Sequence, residues 1–213
     1  MKYYCVLLFS ILSFSCGKGK KYHDTKPTTT SEIPTNLKAI LKHQEKKNEE
    51  FRDPERSPLP DRYRMNFEGL NFFPPDTNYI LTAHFERTPG SKPFQMPSTT
   101  DESTWEVVYG ILHFTLNGEE RQLEVYQGLE LRNRPGFKDY LFLPFLDLTN
   151  GEETYGGGRY LDLKIPKSDT MVIDFNKAYN PYCVYNKKYS CPLVPRQNFM
   201  STKVMAGEKD FLK

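Results

Sequence analysis

The side chains best suited to binding a ligand or to catalysis are found near Arg159. This residue follows three glycines in TYGGGRYLD (154–162). Glycines permit a turn with positive φ and a close approach to the backbone. Successive amides in such a turn can bind an anion, and a guanidinium offers a planar fork to a carboxylate or phosphate. The segment therefore predicts a site for a small polar or anionic ligand. The alternative is a turn entering a strand, with Arg159 paired internally to Asp147 or Asp174.

Further polar residues lie on either side of that turn. Asp147, in FLDLTNG (145–151), resembles part of a calcium loop, but the spacing and terminal Glu of such a loop are absent. A tight turn in which Asp147 and Thr149 bind their own backbone is the simpler interpretation. Downstream, DFNKAYNPYCVYNKKYSCPLVPRQNF (174–199) has no helical or strand period after its first residues. The candidate ligand-binding residues of the chain are Arg159, Asp174, Asn176, Asn180, Asp147, Tyr155 and Glu208.

These residues are expected to converge on one pocket. Strands over 159–165 and 170–175 are predicted to pair as neighbours, because a short link joins them. That pairing would bring the glycine turn beside the loop after Asp174, where Arg159 would meet Asp174 or Asn176. The tyrosines of the same region would line the pocket: Tyr155, Tyr160, Tyr179, Tyr182 and Tyr185.

Cys183 and Cys191 enclose seven residues of the irregular segment. A structural disulfide is one interpretation, and free or redox-active thiols are another; a catalytic thiol would need a base such as His84 or His113. Zinc would need two more Cys or His ligands, so no metal is expected. An export signal favours the disulfide, because disulfides persist in export compartments. No cofactor is expected either, since phosphate-loop, dinucleotide and metalloprotease motifs are absent.

The first residues, MKYYCVLLFSILSFSC, predict export. The apolar run over 6–14 is too short for a transmembrane helix but fits a secretory signal. Ser15-Cys16 resembles a bacterial lipoprotein cleavage site, so we expect a signal peptide over 1–15 and lipidation of Cys16. Residues 16–33 would then be a flexible tether to the outer membrane of a Gram-negative envelope, facing the periplasm. The alternative is an ordinary secreted protein that is cleaved nearby.

The rest of the chain predicts a single domain over 34–213. A helix is expected from Thr35 to Phe51, with Leu37, Ile40 and Leu41 on its apolar face. Short β-type runs follow residue 65, and Asn117-Gly118 predicts a two-residue hairpin turn. Without helical crossovers the sheet should be antiparallel, giving a mainly β fold that closes into a barrel or sandwich with a short N-terminal helix. The formal net charge of +2 gives no reason to expect nucleic acid as a partner.

Several segments of the chain resemble DUF1684, an uncharacterised bacterial and archaeal family. The resemblance is carried by EGLNFFPPDTNYILTAHF (68–85), LPFLDLTNGEETYGGGRYLDL (143–163), IDFNKAYNPYCVYNKKYSCPLVPRQN (173–198) and VMAGEK (204–209). It implies a family but no established activity. Three functions therefore stay open: a lipid-anchored module binding a small ligand or an envelope partner, a hydrolase-type enzyme using Asp or Glu with Arg159, and a purely structural envelope protein.

Overall fold

The computed structural model describes residues 34–211. The predicted signal peptide, the lipidation site at Cys16 and the tether lie outside these residues. The described part of the chain forms the following helices and strands: α1 (Thr35–Arg52), α2 (Asp61–Arg64), β1 (Ile80–Arg87), β2 (Phe94–Pro97), β3 (Ser103–Leu116), β4 (Glu119–Gly128), β5 (Tyr140–Phe145), β6 (Arg159–Lys164) and β7 (Thr170–Asp174). No helix within residues 34–211 is both long and apolar enough to cross a membrane.

Helix α1 confirms the predicted N-terminal helix. It ends at Asp53, whose backbone is extended with φ −70° and ψ 120°, because the following Pro54 disfavours the helical conformation there. Ile40 and Phe51 are its buried residues, and the Phe51 ring meets Tyr185 edge-on at 4.8 Å. Leu41, predicted on the buried face, is instead 42% exposed.

The seven strands form one antiparallel sheet in the order β6-β5-β4-β3-β1-β7, with β2 paired to β3. The sheet curls into a half-barrel, which confirms the predicted mainly β antiparallel fold. The β3–β4 hairpin turns at Asn117 and Gly118, where φ is 54° and 79°, as a two-residue turn of this type requires. Its predicted buried face is also confirmed: Leu112, Phe114, Leu116, Leu123 and Val125.

Strands β5 and β6 are covered on both faces. Leu141 and Leu143 of β5 pack with Leu161 of β6 in the main core, whereas the alternate residues Phe142 and Tyr160 belong to a separate aromatic cluster on the other face. Successive side chains of a strand point to opposite faces, so this alternation divides the strand residues between two environments. The second face is where a cleft forms.

A bulge in β3 changes the face to which the side chains of its first half point. The residues that would otherwise face the core face the cleft instead. The register against β4 shifts between Val108 and Gly110, so Val108 pairs with Tyr126 on the cleft face while Leu112 pairs with Leu123 in the core. One extra residue in a strand reverses the side to which the following residues point. A side chain at Gly110 would collide with the Phe85 ring at 2.4 Å, which explains the glycine.

The predicted pairing of the last two strands is wrong. β6 and β7 lie at opposite ends of the strand order, with β5, β4, β3 and β1 between them. The curl of the sheet nevertheless brings the chain after β7 back to β6, where Tyr160 and Tyr179 form an isolated antiparallel bridge. The half-barrel is thus joined at this edge by a loop rather than by direct strand pairing.

Candidate functional site

Arg159 and Asp147 form an ion pair in the closed interior. Arg159 Nη2 lies 2.8 Å from Asp147 Oδ2, and both side chains are fully buried. Asp147 Oδ1 accepts hydrogen bonds from the backbone N–H groups of Thr149 at 2.8 Å and Val204 at 3.3 Å. Burial lowers the pKa of the Arg159 guanidinium, and the adjacent carboxylate opposes that shift. The pair is therefore sealed from any ligand in solution.

The remaining donors of Arg159 hold the C-terminal segment against the sheet. Nη2 donates to the Val204 carbonyl at 2.9 Å, and Nη1 donates to the carbonyls of Ala206 and Glu208. The Nε–H has no partner among the described residues. Arg159 thus acts as a structural clamp, with its hydrogen-bonding capacity nearly exhausted by protein groups.

Two neighbouring polar residues, Glu208 and Asn176, are similarly occupied, whereas the buried Asn180 Oδ1 has no partner among the described residues. Glu208 Oε2 accepts from the Asn180 backbone N–H at 2.9 Å and from the Tyr185 hydroxyl at 2.6 Å. Burial raises the pKa of Glu208, and these two donors oppose the shift. Asn176 is bound to the backbone of Asp76 and to Asp174 Oδ1.

The structure therefore brings some of the predicted site residues together, but not all of them. Arg159, Asp147 and the backbone of Glu208 share one network, and Asn180 adjoins it through Glu208. The expected contact of Arg159 with Asp174 or Asn176 is wrong, because Asp147 is its acidic partner. Tyr155 packs elsewhere, in the small cluster beneath α1.

A cleft of about 660 Å³ opens on the other face of the sheet. Its floor is Phe142 and Tyr160, whose rings meet edge-on at 4.8 Å. Exposed rings stand at its rim, among them Trp105 at 46% and Phe137 at 39% exposure. A concave, mostly aromatic space of this size with a few polar groups is typical of a small-molecule site.

Glu106, on β3, is one of the residues that line this cleft. The residue is only 8% exposed, and Oε2 has no hydrogen-bond partner among the described residues. Gly128, opposite it on β4, leaves room for the carboxylate, since a side chain there would lie 3.1 Å from Glu106 Oε1. Burial raises the pKa of Glu106, and a hydrogen bond from the Thr104 side chain opposes that shift. A buried carboxylate oxygen without a partner is costly, so Oε2 needs a reason to be here.

Asp162 supplies a second, pre-positioned carboxylate to the same cleft. Its Oδ1 accepts hydrogen bonds from the hydroxyls of Tyr140 at 2.8 Å and Tyr179 at 2.6 Å. Burial, together with this carboxylate, raises the pKa of both Tyr140 and Tyr179 well above the usual range. Both tyrosines therefore remain donors at neutral pH and hold the orientation of Asp162.

The cysteine loop forms one wall of the cleft through Tyr182, Tyr189 and Cys191. Both cysteines are thiols in this structure, and the Cys183 backbone N–H lies 3.2 Å from Cys191 Sγ. Burial raises the pKa of Cys191 to about 12, so the thiol is not activated as a nucleophile. Within residues 34–211, no cluster of His, Cys, Asp and Glu side chains is arranged to hold a metal ion.

Sequence reasoning found three of the cleft tyrosines but not its carboxylates. Tyr160, Tyr179 and Tyr182 were expected to line a pocket, and they do line this one. Glu106 and Asp162 were missed. The available signal was the alternation of β6, in which Tyr160 and Asp162 face away from the core leucines.

Comparisons with known proteins agree with this fold. A family model described as "Protein of unknown function (DUF1684)" matches residues 65–209. The chain is also similar to the solution NMR structure of the uncharacterized protein from gene locus rrnAC0354 of Haloarcula marismortui, with 32% sequence identity and a TM-score of 0.62. That match covers 81% of this chain and 92% of the archaeal one. No curated protein matches the chain.

Proposed function

The chain belongs to DUF1684, a family of unknown function, and we propose that it is a binding module for a small polar ligand. The ligand occupies the aromatic cleft on the second face of the sheet, not the region around Arg159. Arg159 and Asp147 are committed to each other and to the C-terminal backbone, so they act as scaffold.

The observation that carries this proposal is the buried Glu106 carboxylate with its unpartnered Oε2. An unmade hydrogen bond at a buried charged group costs about 1–3 kcal/mol or more. Arg159 Nε is also buried and unpartnered, but it lies in a closed network, whereas Glu106 belongs to the lining of an open cleft that a ligand can enter. The cleft around Glu106 has the volume and aromatic lining of a binding site.

We also propose that the module is held in the cell envelope by a lipid on Cys16. The support is the apolar run ending in Ser15-Cys16. The outer membrane, facing the periplasm, is the expected location. In that compartment a Cys183–Cys191 disulfide would form and would brace the loop that makes one wall of the cleft.

Trp105 makes the proposal directly testable, because it is the chain's one tryptophan and it lies at the cleft rim. A thermal-shift screen of the purified full chain against sugars, amines, nucleotides and anions should find compounds that raise the melting temperature. Each hit should also change the tryptophan fluorescence in a saturable way. Tyr182→Ala, at the cleft wall, should weaken binding, while Phe199→Ala, an exposed ring outside the cleft, should not. Hits that are indifferent to Tyr182→Ala would contradict the proposal.

A further inference from the structure

We infer that the ligand of the cleft is a neutral saccharide, bound through hydroxyl groups by Glu106 and Asp162 and stacked on the rim aromatics. This inference rests on the proposed binding function and narrows it to one class of ligand. Four features of the cleft carry it: its charge balance, its exposed rings, its two carboxylates and the span between them.

The charges of the cleft are mixed and nearly balanced. Three acids, Glu106, Glu130 and Asp162, line it together with two bases, Lys47 and Arg134. Attraction and repulsion therefore largely offset each other for an anionic or a cationic ligand, so the cleft as a whole does not favour either charge. A neutral ligand that both donates and accepts hydrogen bonds uses both kinds of group, and a sugar hydroxyl does both.

The rings at the rim offer flat apolar surfaces to solvent. Trp105, Phe137 and Tyr182 are 46%, 39% and 36% exposed, although large rings are usually covered. The face of an aromatic ring carries partial negative charge and its edge partial positive charge. The C–H groups on one side of a sugar ring are weakly positive, so they pack well against such a face.

The two carboxylates are suited to receive hydroxyl donors. Glu106 Oε2 is unpartnered among the described residues. In Asp162 both tyrosine hydrogen bonds fall on Oδ1, which leaves Oδ2 to accept from a ligand. Hydrogen bonds from a neutral donor to a carboxylate are stronger than those between neutral groups. Because Tyr140 and Tyr179 fix Asp162 beforehand, little ordering is needed on binding.

The two acids lie on separate strands of the cleft face. Glu106 lies on β3 and Asp162 on β6, with β4 and β5 between them. A ligand that contacts both carboxylates therefore extends across these strands.

The test uses the purified full chain and follows Trp105 fluorescence, with calorimetry as the second readout. The saccharide probes are cellobiose, lactose, mannobiose and N,N′-diacetylchitobiose. Choline serves as the cationic probe and inorganic phosphate as the anionic probe. At least one saccharide should bind saturably below about 10 mM, the weak end of specific recognition. Glu106→Gln should weaken that binding about tenfold or more, since one charge-assisted hydrogen bond is lost.

Control variants distinguish the loss of a ligand contact from the loss of a folded protein. The matched variant Glu120→Gln alters an exposed glutamate of β4 outside the cleft and should bind like the wild type. Asp162→Asn gives a second test should Glu106→Gln fold poorly, and it should also weaken binding. A bound saccharide that is indifferent to both cleft variants would overturn the assignment.

Different results would overturn the saccharide inference and the proposed binding function. Binding of choline or phosphate at Trp105, with no saccharide bound, would overturn the saccharide inference but keep the cleft as a binding site. If no compound of the wider thermal-shift screen binds in a manner dependent on Tyr182, the proposed function itself is overturned.

Discussion

Arg159 Nη2 and Asp147 Oδ2 lie 2.8 Å apart, and neither side chain has any exposed surface. Asp147 follows β5 and Arg159 begins β6, so the pair closes the long loop between two adjacent strands. Through the Val204 and Ala206 carbonyls the same guanidinium fastens the C-terminal segment. The residue that most resembles a ligand-binding arginine in the sequence is thus a centre of the fold.

Asp147→Asn should strongly destabilise the protein. The substitution keeps the shape of the side chain but leaves a buried guanidinium without its counter-charge. Breaking one side of a buried pair costs about 3–5 kcal/mol. Urea unfolding followed by circular dichroism measures this. Asp139→Asn, which breaks the exposed pair with Lys164, should cost at most about 1 kcal/mol. Equal losses in the two variants would contradict the clamp role of Arg159.

Gly158→Ala should be more harmful than Gly151→Ala. Both glycines have positive φ, 91° and 84°, so alanine strains the backbone at either position. At Gly151 the added methyl group meets open space. At Gly158 it lies 2.7 Å from the Phe145 carbonyl oxygen and equally close to Val194 Cγ2. We expect about 1 kcal/mol of lost stability at Gly151 and about 3 kcal/mol or more at Gly158. Similar unfolding midpoints for both variants would show that the turn relaxes.

Local features of this fold were predictable from the sequence, because their causes are local. Pro54 ends α1 and Asn117-Gly118 fixes the β3–β4 turn, each through the conformations that its own residues allow. The antiparallel sheet followed from the lack of helical crossovers. The order of its strands did not follow, since a short link between β6 and β7 does not require them to pair.

The cleft could not be predicted because it depends on a bulge and on curvature. An unbroken alternation along WEVVYGILHFTL would put Glu106 on the same face as Leu112, in the core. The register shift between Val108 and Gly110 puts it on the opposite face. The partner of Arg159 was uncertain for a related reason: Asp147 and Asp174 are both acids near strand ends, and only the tertiary fold selects Asp147.

Cys16→Ser should abolish fatty-acid labelling and membrane association. The thiol of Cys16 would carry the lipid, and serine does not provide that thioether. Metabolic labelling with a palmitate analogue and sedimentation of membranes measure the two effects. Cys5→Ser is the matched control, because Cys5 lies within the predicted signal peptide and should leave both properties intact. Continued labelling of the Cys16→Ser protein would disprove this anchor.

Protein recovered from the periplasm should contain a Cys183–Cys191 disulfide. The cysteines already adjoin each other, with the Cys183 N–H directed at Cys191 Sγ. A bridge closing a loop of about nine residues would stabilise the fold by about 2.5 kcal/mol if it is unstrained. Mass spectrometry of unreduced peptides should find the linked pair lighter than the dithiol by two hydrogen atoms, since oxidation removes two protons and two electrons. Recovery of two thiols that react freely with iodoacetamide would contradict the bridge.

Glu106→Gln should stabilise the ligand-free protein at high pH while weakening binding. Burial raises the pKa of Glu106 above its usual value of 4.5, so the native state holds the proton more tightly than the unfolded chain. The stability linked to this proton is fully present below about 4.5 and is lost as the pH rises through the native pKa. Glutamine cannot ionise, so the variant does not lose this stability at high pH.

The measurement is the melting temperature of the variant minus that of the wild type, recorded without ligand from pH 4 to pH 8. This difference should become more positive as the pH rises, by about 2–4 °C for each kcal/mol gained. Glu208 also has a raised pKa, but it is present in both proteins and cancels from the difference. The exposed Glu120→Gln should show no such trend. A flat profile for Glu106→Gln would mean that Glu106 is well solvated, and the cleft would then lack the unsatisfied carboxylate on which its proposed function depends.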